Sequence, residues 1–303
     1  MSQSPLPRIG FIGIGAMGWP MAACLVKAGY TVIPHDARSG HTQAFLAQVG
    51  GEAAQSLADL GRRSDVVITI LPTSAVVEQV LFGADGVAQG LGAGARVIDM
   101  TSGIPAATQA FAERLAGQGV TMFDAPVSGG VARARTGDLT IMAGGETADV
   151  DAAMPILRIM GSVIRTGKTG SGHAMKALNN LVSAGGFLIG IEALLIGAKF
   201  GIAPQTMVDI LNVSTGVNNS TQKKFKQFVL SRSFDSGFAM ELMVKDLSIA
   251  LEVAREGGVT APFASLCREM WAGASHLLGP GADHTAVAQL SERLAGYQLA
   301  DEP

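Results

Sequence analysis

Residues 8–18 read RIGFIGIGAMG. Arg8 to Ile12 make a short apolar strand that runs straight into Gly13-Ile14-Gly15-Ala16-Met17-Gly18, and Met17, Met21 and Leu25 then follow at i+4 steps until Gly29 stops the helix. Strand, G-x-G-x-x-G and helix in that order form a dinucleotide-binding fingerprint. Its glycines permit a tight turn and close backbone approach, and the pyrophosphate sits on the positive N-terminus of the helix. Gly13, Gly15, Ala16, Met17 and Gly18 are therefore the expected pyrophosphate contacts.

Working outward, the strand from Thr31 to His35 ends at Asp36, where the fingerprint expects an acid to accept from the ribose hydroxyls. A carboxylate there repels a 2′-phosphate, which favours NAD over NADP; Arg38, two residues on, would instead pair with that phosphate and leaves NADP open. The plainer reading of Asp36 is a turn residue. Val66 to Leu71, Arg96 to Met100 and Val120 to Asp124 are further strands, with helices expected over 75–82 and 105–116. Strands alternating with helices imply a Rossmann-type, doubly wound parallel sheet, extended by strands over 138–144 and 163–167 around a helix over 150–160. Ligands of such sheets gather at the carboxyl ends of the strands, so Leu71, Pro72, Thr101 and the segment after Asp124 are expected to share one crevice.

That segment is Ala125-Pro126-Val127-Ser128-Gly129-Gly130. Ser128 offers a hydroxyl, and Gly129 and Gly130 expose backbone N–H groups in a nest suited to the carboxylate of a small substrate; the competing reading is an ordinary glycine-rich turn. Farther on, residues 170–201 read GSGHAMKALNNLVSAGGFLIGIEALLIGAKFG, a long helix apolar on all sides from Lys176 onward and so expected to be buried. Its first turns carry Lys176, Asn179, Asn180 and Ser183 on one polar stripe. Lys176 there either snorkels to solvent or has a chemical task. The same run has the length of a membrane span, but Asn179, Asn180, Glu192 and the paired glycines within it favour the central helix of a soluble protein.

Composition fits a two-domain soluble chain. The 303 residues are 48% hydrophobic and carry a net charge of −3, which leaves no basic surface for nucleic acid. Cys24 and Cys267 lie in apolar helical patterns as buried thiols, the five histidines lack metal-ligand spacing, and the first residues carry no targeting signal, so a cytoplasmic protein without a metal is expected.

GIGAMG near the N-terminus, DAPVSGG at 124–130 followed by Ala134 and Gly137, GSGHAMKALNN at 170–180 and KDL at 245–247 together resemble, in the right order, the four signatures of the β-hydroxyacid dehydrogenase family. The resemblance spans essentially the whole chain. It implies that Lys176 is catalytic, that Asn180 and the Ser128-Gly129-Gly130 backbone hold the substrate, and that Thr101 and Lys245 contact the cofactor near the nicotinamide. It implies also that Phe238 and Asp246 match positions lining the site in some members, and that the protein is a homodimer or homotetramer. The physics agrees: when hydride leaves a hydroxyl carbon the hydroxyl proton must leave too, and a lysine accepts it if burial and a positive nicotinamide disfavour its own charge.

From about Gly201 no strand pattern remains. Helices are expected over 204–211, 221–230, 241–256 and 262–278 and after Asp283, giving a nicotinamide-binding domain over 1–169 and an all-α substrate and oligomerisation domain over 170–303, joined by the long central helix. In the helix over 241–256 the core stripe is Met243, Leu247, Ala250, Leu251 and Ala254, and Lys245, half a turn off it, faces either solvent or the cleft between domains. The loop Val213-Ser214-Thr215-Gly216-Val217-Asn218-Asn219-Ser220 lies where relatives close the substrate pocket, sometimes with an arginine after the glycine; Val217 stands there instead. The expected activity is NAD(P)-dependent hydride transfer between the cofactor and the hydroxyl carbon of a small β-hydroxy acid, or reduction of the matching semialdehyde. An imine reductase of the same fold and a non-catalytic dinucleotide-binding scaffold are the alternatives.

Overall fold

The structure is a computed structural model and describes residues 5–300. It divides into two compact units, Met1–Lys176 and Ala177–Pro303. The first unit is built on β1 (Ile9–Ile12), β2 (Val32–His35), β3 (Val66–Thr69), β4 (Arg96–Asp99) and β5 (Thr121–Asp124), which pair in parallel in the order β2-β1-β3-β4-β5. Its helices are α1 (Gly18–Lys27), α2 (Ser39–Gln48), α3 (Leu57–Arg62), α4 (Ser74–Phe82), α5 (Pro105–Ala116), α6 (Gly130–Thr136) and α7 (Thr147–Met160).

The strands are apolar on both faces because both are covered. Ile9, Phe11, Ile68, Ile98 and Phe123 point into one core with Met21 and Leu25 of α1 and Leu157 of α7. Ile12, Val67, Val97 and Met122, their neighbours in sequence, point into the other with Leu60, Val77, Leu81, Phe111 and Leu115 of α3, α4 and α5. The period of two along a strand thus produces the two layers directly.

Beyond the parallel core the direction changes. The short β6 (Val127–Ser128) and β5 both pair antiparallel to β7 (Leu139–Gly144), and β8 (Gly161–Gly167) then runs parallel to β7. Four elements were not expected from the sequence: β6, α6, α2 and α3. The last two are short helices between Arg38 and Val66, and α3 is capped by Ser56, whose hydroxyl accepts from the Asp59 N–H.

The long helix α8 (Ser171–Phe200) passes from the first unit into the second. The second unit is helical: α9 (Pro204–Asn212), α10 (Asn219–Lys223), α11 (Met240–Glu256), α12 (Pro262–Leu278) and α13 (Ala288–Ala295). Its core gathers Phe187, Ile191 and Leu194 of α8 with Phe225, Met243, Leu247 and Trp271. Residues 221–230 are not one helix. Asn218 caps α10 through a reciprocal bond with Thr221, and a separate π-helical turn, Phe225–Leu230, follows.

The expectation that α8 is buried on all sides is corrected. Val182, Ile189 and Ile196 are 77%, 57% and 72% exposed, and their seven-residue spacing makes them one stripe. A sequence apolar all round carries no preferred face, so the sequence did not reveal which third of the helix stays uncovered.

Candidate active site

At the fingerprint, each glycine answers a different need. Gly13 has φ +97°, and a Cβ on it would lie 2.2 Å from the Ile70 carbonyl oxygen, so only glycine fits the turn beside β3. A Cβ on Gly18 would lie 1.8 Å from the Gly13 oxygen, so the third glycine lets α1 close onto the turn. Gly15 is different: a Cβ on it would meet only the Arg38 guanidinium, at 3.6 Å. Gly15 and Ala16 border a groove of about 590 Å³ along α1, and no side chain caps the first turn of α1. Open space at a helix N-terminus that no side chain caps suits a pyrophosphate.

Asp36, at the end of β2, and Arg38 bind one another. The Arg38 Nε and backbone N–H both donate to Asp36 Oδ1, at 2.9 and 3.0 Å. Burial works against the Asp36 charge, but the bonds from Arg38 prevail and hold its carboxyl below the usual range. The sequence weighed these two side chains as rivals; the structure pairs them. At the ends of the next strands the Leu71 N–H donates to the Thr101 hydroxyl at 3.0 Å, which joins two of the expected cofactor contacts, while Pro72 beside them is exposed.

Two buried acids close the carboxyl edge of the sheet. Asp99 and Asp124 are paired in register at the ends of β4 and β5, each wholly buried. Asp99 Oδ1 accepts from the Thr69 hydroxyl and from the Thr101 N–H, and its Oδ2 lies 3.7 Å from Nε2 of the buried His173. Asp124 accepts from the Gly170 N–H at 2.5 Å and from the His173 N–H at 2.7 Å. Burial pushes the Asp124 carboxyl up to about 7, with the Asp99 charge adding to the rise and the backbone donors opposing it. From the sequence, His173 was one of five histidines without metal-ligand spacing and Asp124 the start of a motif. Both are structural members of the site's floor, and the available signal was two acids ending consecutive strands.

Beyond Asp124 the chain forms β6 and turns at Gly129 (φ +137°) and Gly130 (φ +70°), leaving Ser128 partly exposed and both glycines exposed. Successive positive φ values point backbone groups out of the turn and fit the expected nest. Lys176 is partly buried on the second turn of α8. One turn farther along the same helix, in the second unit, the Asn180 amide donates to Asp246 Oδ2 at 2.5 Å and its oxygen accepts from Asn179 at 3.2 Å. Lys245 Nζ lies 3.2 Å from Asp246 Oδ1, and its side chain is only 22% exposed. Lys245 therefore pairs with its own neighbour on α11 instead of standing fully in solvent. Phe238 packs edge-on against His284, with ring centroids 5.4 Å apart.

Comparison with known proteins bears on this arrangement. Residues 8–170 match the NAD binding domain of 6-phosphogluconate dehydrogenase, and residues 170–291 match the NAD-binding domain of NADP-dependent 3-hydroxyisobutyrate dehydrogenase. The 2-(hydroxymethyl)glutarate dehydrogenase of Eubacterium barkeri is 37% identical over 97% of this chain and 97% of its own. The chain belongs to the β-hydroxyacid dehydrogenase family. Another relative is the 2-hydroxy-3-oxopropionate reductase of Escherichia coli K12, 31% identical over 97% of this chain and all of its own. Among solved structures, Mycobacterium tuberculosis 3-hydroxyisobutyrate dehydrogenase with L-serine superposes with a TM-score of 0.85 at 29% identity, over 94% of this chain and 99% of that one.

As a β-hydroxyacid dehydrogenase the protein is a nicotinamide-dependent oxidoreductase acting on a CH–OH donor. The residues present fit the cofactor, since the uncapped α1 N-terminus and the open approach over Gly15 are features that its pyrophosphate requires.

Proposed function

We propose that Lys176 is the general acid/base of this reaction. The observation that carries the reading is Asn180: it stands one turn beyond Lys176 on an unbroken helix, and Asp246 fixes its carboxamide. An amide NH2 has two donors, so one remains for a substrate oxygen after the bond to Asp246. The bound nicotinamide accepts or delivers the hydride. In the oxidative direction Lys176 takes the proton of the substrate hydroxyl as the carbon loses hydride; in reduction it returns a proton to the oxygen. Ser128, Gly129 and Gly130 hold the substrate carboxylate. Gly13, Gly15, Ala16, Met17, Gly18, Leu71, Pro72, Thr101 and Lys245 hold the cofactor, and Asp36 reads the ribose hydroxyls in favour of NAD.

The 213–220 loop carries no cation, with Val217 where some relatives have arginine, which favours a substrate with one carboxylate over one with two. The stripe of Val182, Ile189 and Ile196 on α8 supports self-association as a homodimer or homotetramer. The test is reduced-nicotinamide absorbance with NAD or NADP and a panel of 3-hydroxyisobutyrate, 3-hydroxypropionate, glycerate, threonate, 4-hydroxybutyrate and 2-(hydroxymethyl)glutarate, with the aldehydes in reverse. Turnover on a monocarboxylate, lost by about two to four orders of magnitude in Lys176→Ala with cofactor affinity kept, is the expected result. Full turnover in that variant would remove the lysine from its role.

A further inference from the structure

The acid that opens the DAPVSGG segment makes no contact that hydride transfer itself requires, yet it is wholly buried beneath the first turn of α8. A helix start is ordinarily satisfied by a side chain a few residues away, usually Ser, Thr, Asp or Asn. Here the donors at Gly170 and His173 are met instead by a residue 46 and 49 positions upstream, on the last position of β5. A local cap stabilises a helix. A cap supplied by another element also fixes where the helix begins relative to that element.

The turn is packed closely around the carboxylate. A Cβ on Gly172 would lie 2.7 Å from Asp124 Oδ2, 3.1 Å from the Pro126 ring and 2.2 Å from the Met142 carbonyl oxygen. A Cβ on Gly144 would lie 2.6 Å from the Gly172 nitrogen and 3.0 Å from Asp124 Oδ1. The turn is thus pressed onto the carboxylate from the β7 side. His173, which donates to it through its backbone, packs its ring against Gly103 and lies beside Asp99 on β4. Two features of the active site leave this point on two separate segments, each toward the C-terminus. Four residues after Asp124 comes Ser128, and three residues after His173 comes Lys176.

We infer that Asp124 is the positioning residue of the site: one buried carboxylate on β5 fixes the strand that runs into the Ser128 loop and the turn that launches the Lys176 helix. The inference rests on the proposal that Lys176 transfers the proton. Burying two acids side by side, Asp99 and Asp124, is costly, and such arrangements are characteristic of functional sites. Asn at this position would keep the shape but offer one acceptor oxygen, and its NH2 would face one of the two backbone N–H donors.

The experiment compares Asp124→Asn with the parent protein in steady-state kinetics, in cofactor titration and in amide hydrogen exchange. Misplacing the proton-transfer group and the substrate loop together lowers kcat by about a hundredfold and raises KM for the hydroxy acid, while cofactor Kd stays within about twofold because the fingerprint turn is untouched. Exchange at the Gly170 and His173 amides accelerates. Gly172→Ala, which keeps the carboxylate and pushes the turn away from it, is expected to reproduce the same split and serves if Asp124→Asn does not fold. Parent kcat and KM in Asp124→Asn, or a loss of cofactor affinity as large as the loss of kcat, overturns the inference. Lys176→Ala run alongside separates the two readings. Retained turnover there removes Lys176 from its role, and the exchange rates at Gly170 and His173 then decide by themselves whether the clamp exists.

Discussion

Asp124 also makes a thermodynamic prediction that is independent of catalysis. Its carboxyl is pushed up to about 7 by burial, against 3.8 for an unperturbed aspartate. A carboxyl raised on folding contributes stability that is fully present below its unfolded value and is lost as pH rises through the folded value. Between these limits the folded protein holds a proton that the unfolded chain has released, and stability falls by about 1.4 kcal/mol per pH unit. Asparagine cannot titrate. The stability of the parent protein minus that of Asp124→Asn should therefore fall by about 3 kcal/mol between pH 5 and pH 8, nearly all of it below pH 7. The other titrating groups cancel in the difference, apart from Asp99 and His173, which face the same carboxylate. Urea unfolding of both proteins across that range, followed by far-UV circular dichroism, measures it. A flat difference would refute the reasoning: it would mean that the N–H donors of Gly170 and His173, with the positive end of α8 behind them, outweigh burial and keep the carboxyl near its ordinary value.

Three further outcomes are expected. Asp36→Ala frees the Arg38 guanidinium, now bound to the carboxylate at 2.9 Å, to meet a 2′-phosphate; the ratio of kcat/KM for NADP to that for NAD should rise by about tenfold or more, and an unchanged ratio would exclude Asp36 from reading the ribose. Gly15→Ala, whose Cβ would meet only Arg38 at 3.6 Å, should keep the parent Tm but lose about tenfold or more in cofactor affinity, whereas Gly18→Ala, at 1.8 Å from the Gly13 oxygen, should lose stability as well. Val182→Glu, at a position 77% exposed, should leave Tm of the isolated chain nearly unchanged while sedimentation at micromolar concentration shifts to monomer; an oligomer unaffected by the charge would place the interface elsewhere.

Much of the architecture was legible because it is local. The fingerprint works through backbone conformation and the volume of single residues, so RIGFIGIGAMG announces its turn wherever it folds, and α5 begins and ends as its Pro105 start and periodicity indicate. The parallel strands were readable from continuous apolar runs, since a strand covered on both faces has no polar side to show. The direction of β7 was not, because an apolar run is equally good in either direction and only the tight connection through β6 and α6 turns it antiparallel. For the same reason α8 could be recognised as a helix while its exposed stripe could not.

The candidate site divides in the same way. Lys176, Asn180 and the Ser128 loop stand in contiguous motifs whose spacing on a helix or turn is a local matter, and the sequence named them. The partners that hold them are distant in the chain: Asp124 against Gly170 and His173, Asp246 against Asn180, and the Thr101 hydroxyl against the Leu71 N–H. Asp36 and Arg38 are only two residues apart, yet their pairing also waited on the folded turn, because a dipeptide spacing leaves open whether two side chains compete for a ligand or bind each other. By itself the sequence determined the fold family and the cofactor class and named the candidate site residues, since these depend on residue type and short-range geometry. The tertiary structure alone decided what anchors those side chains, because anchoring is done by buried charge and hydrogen bonds between elements that only folding brings together.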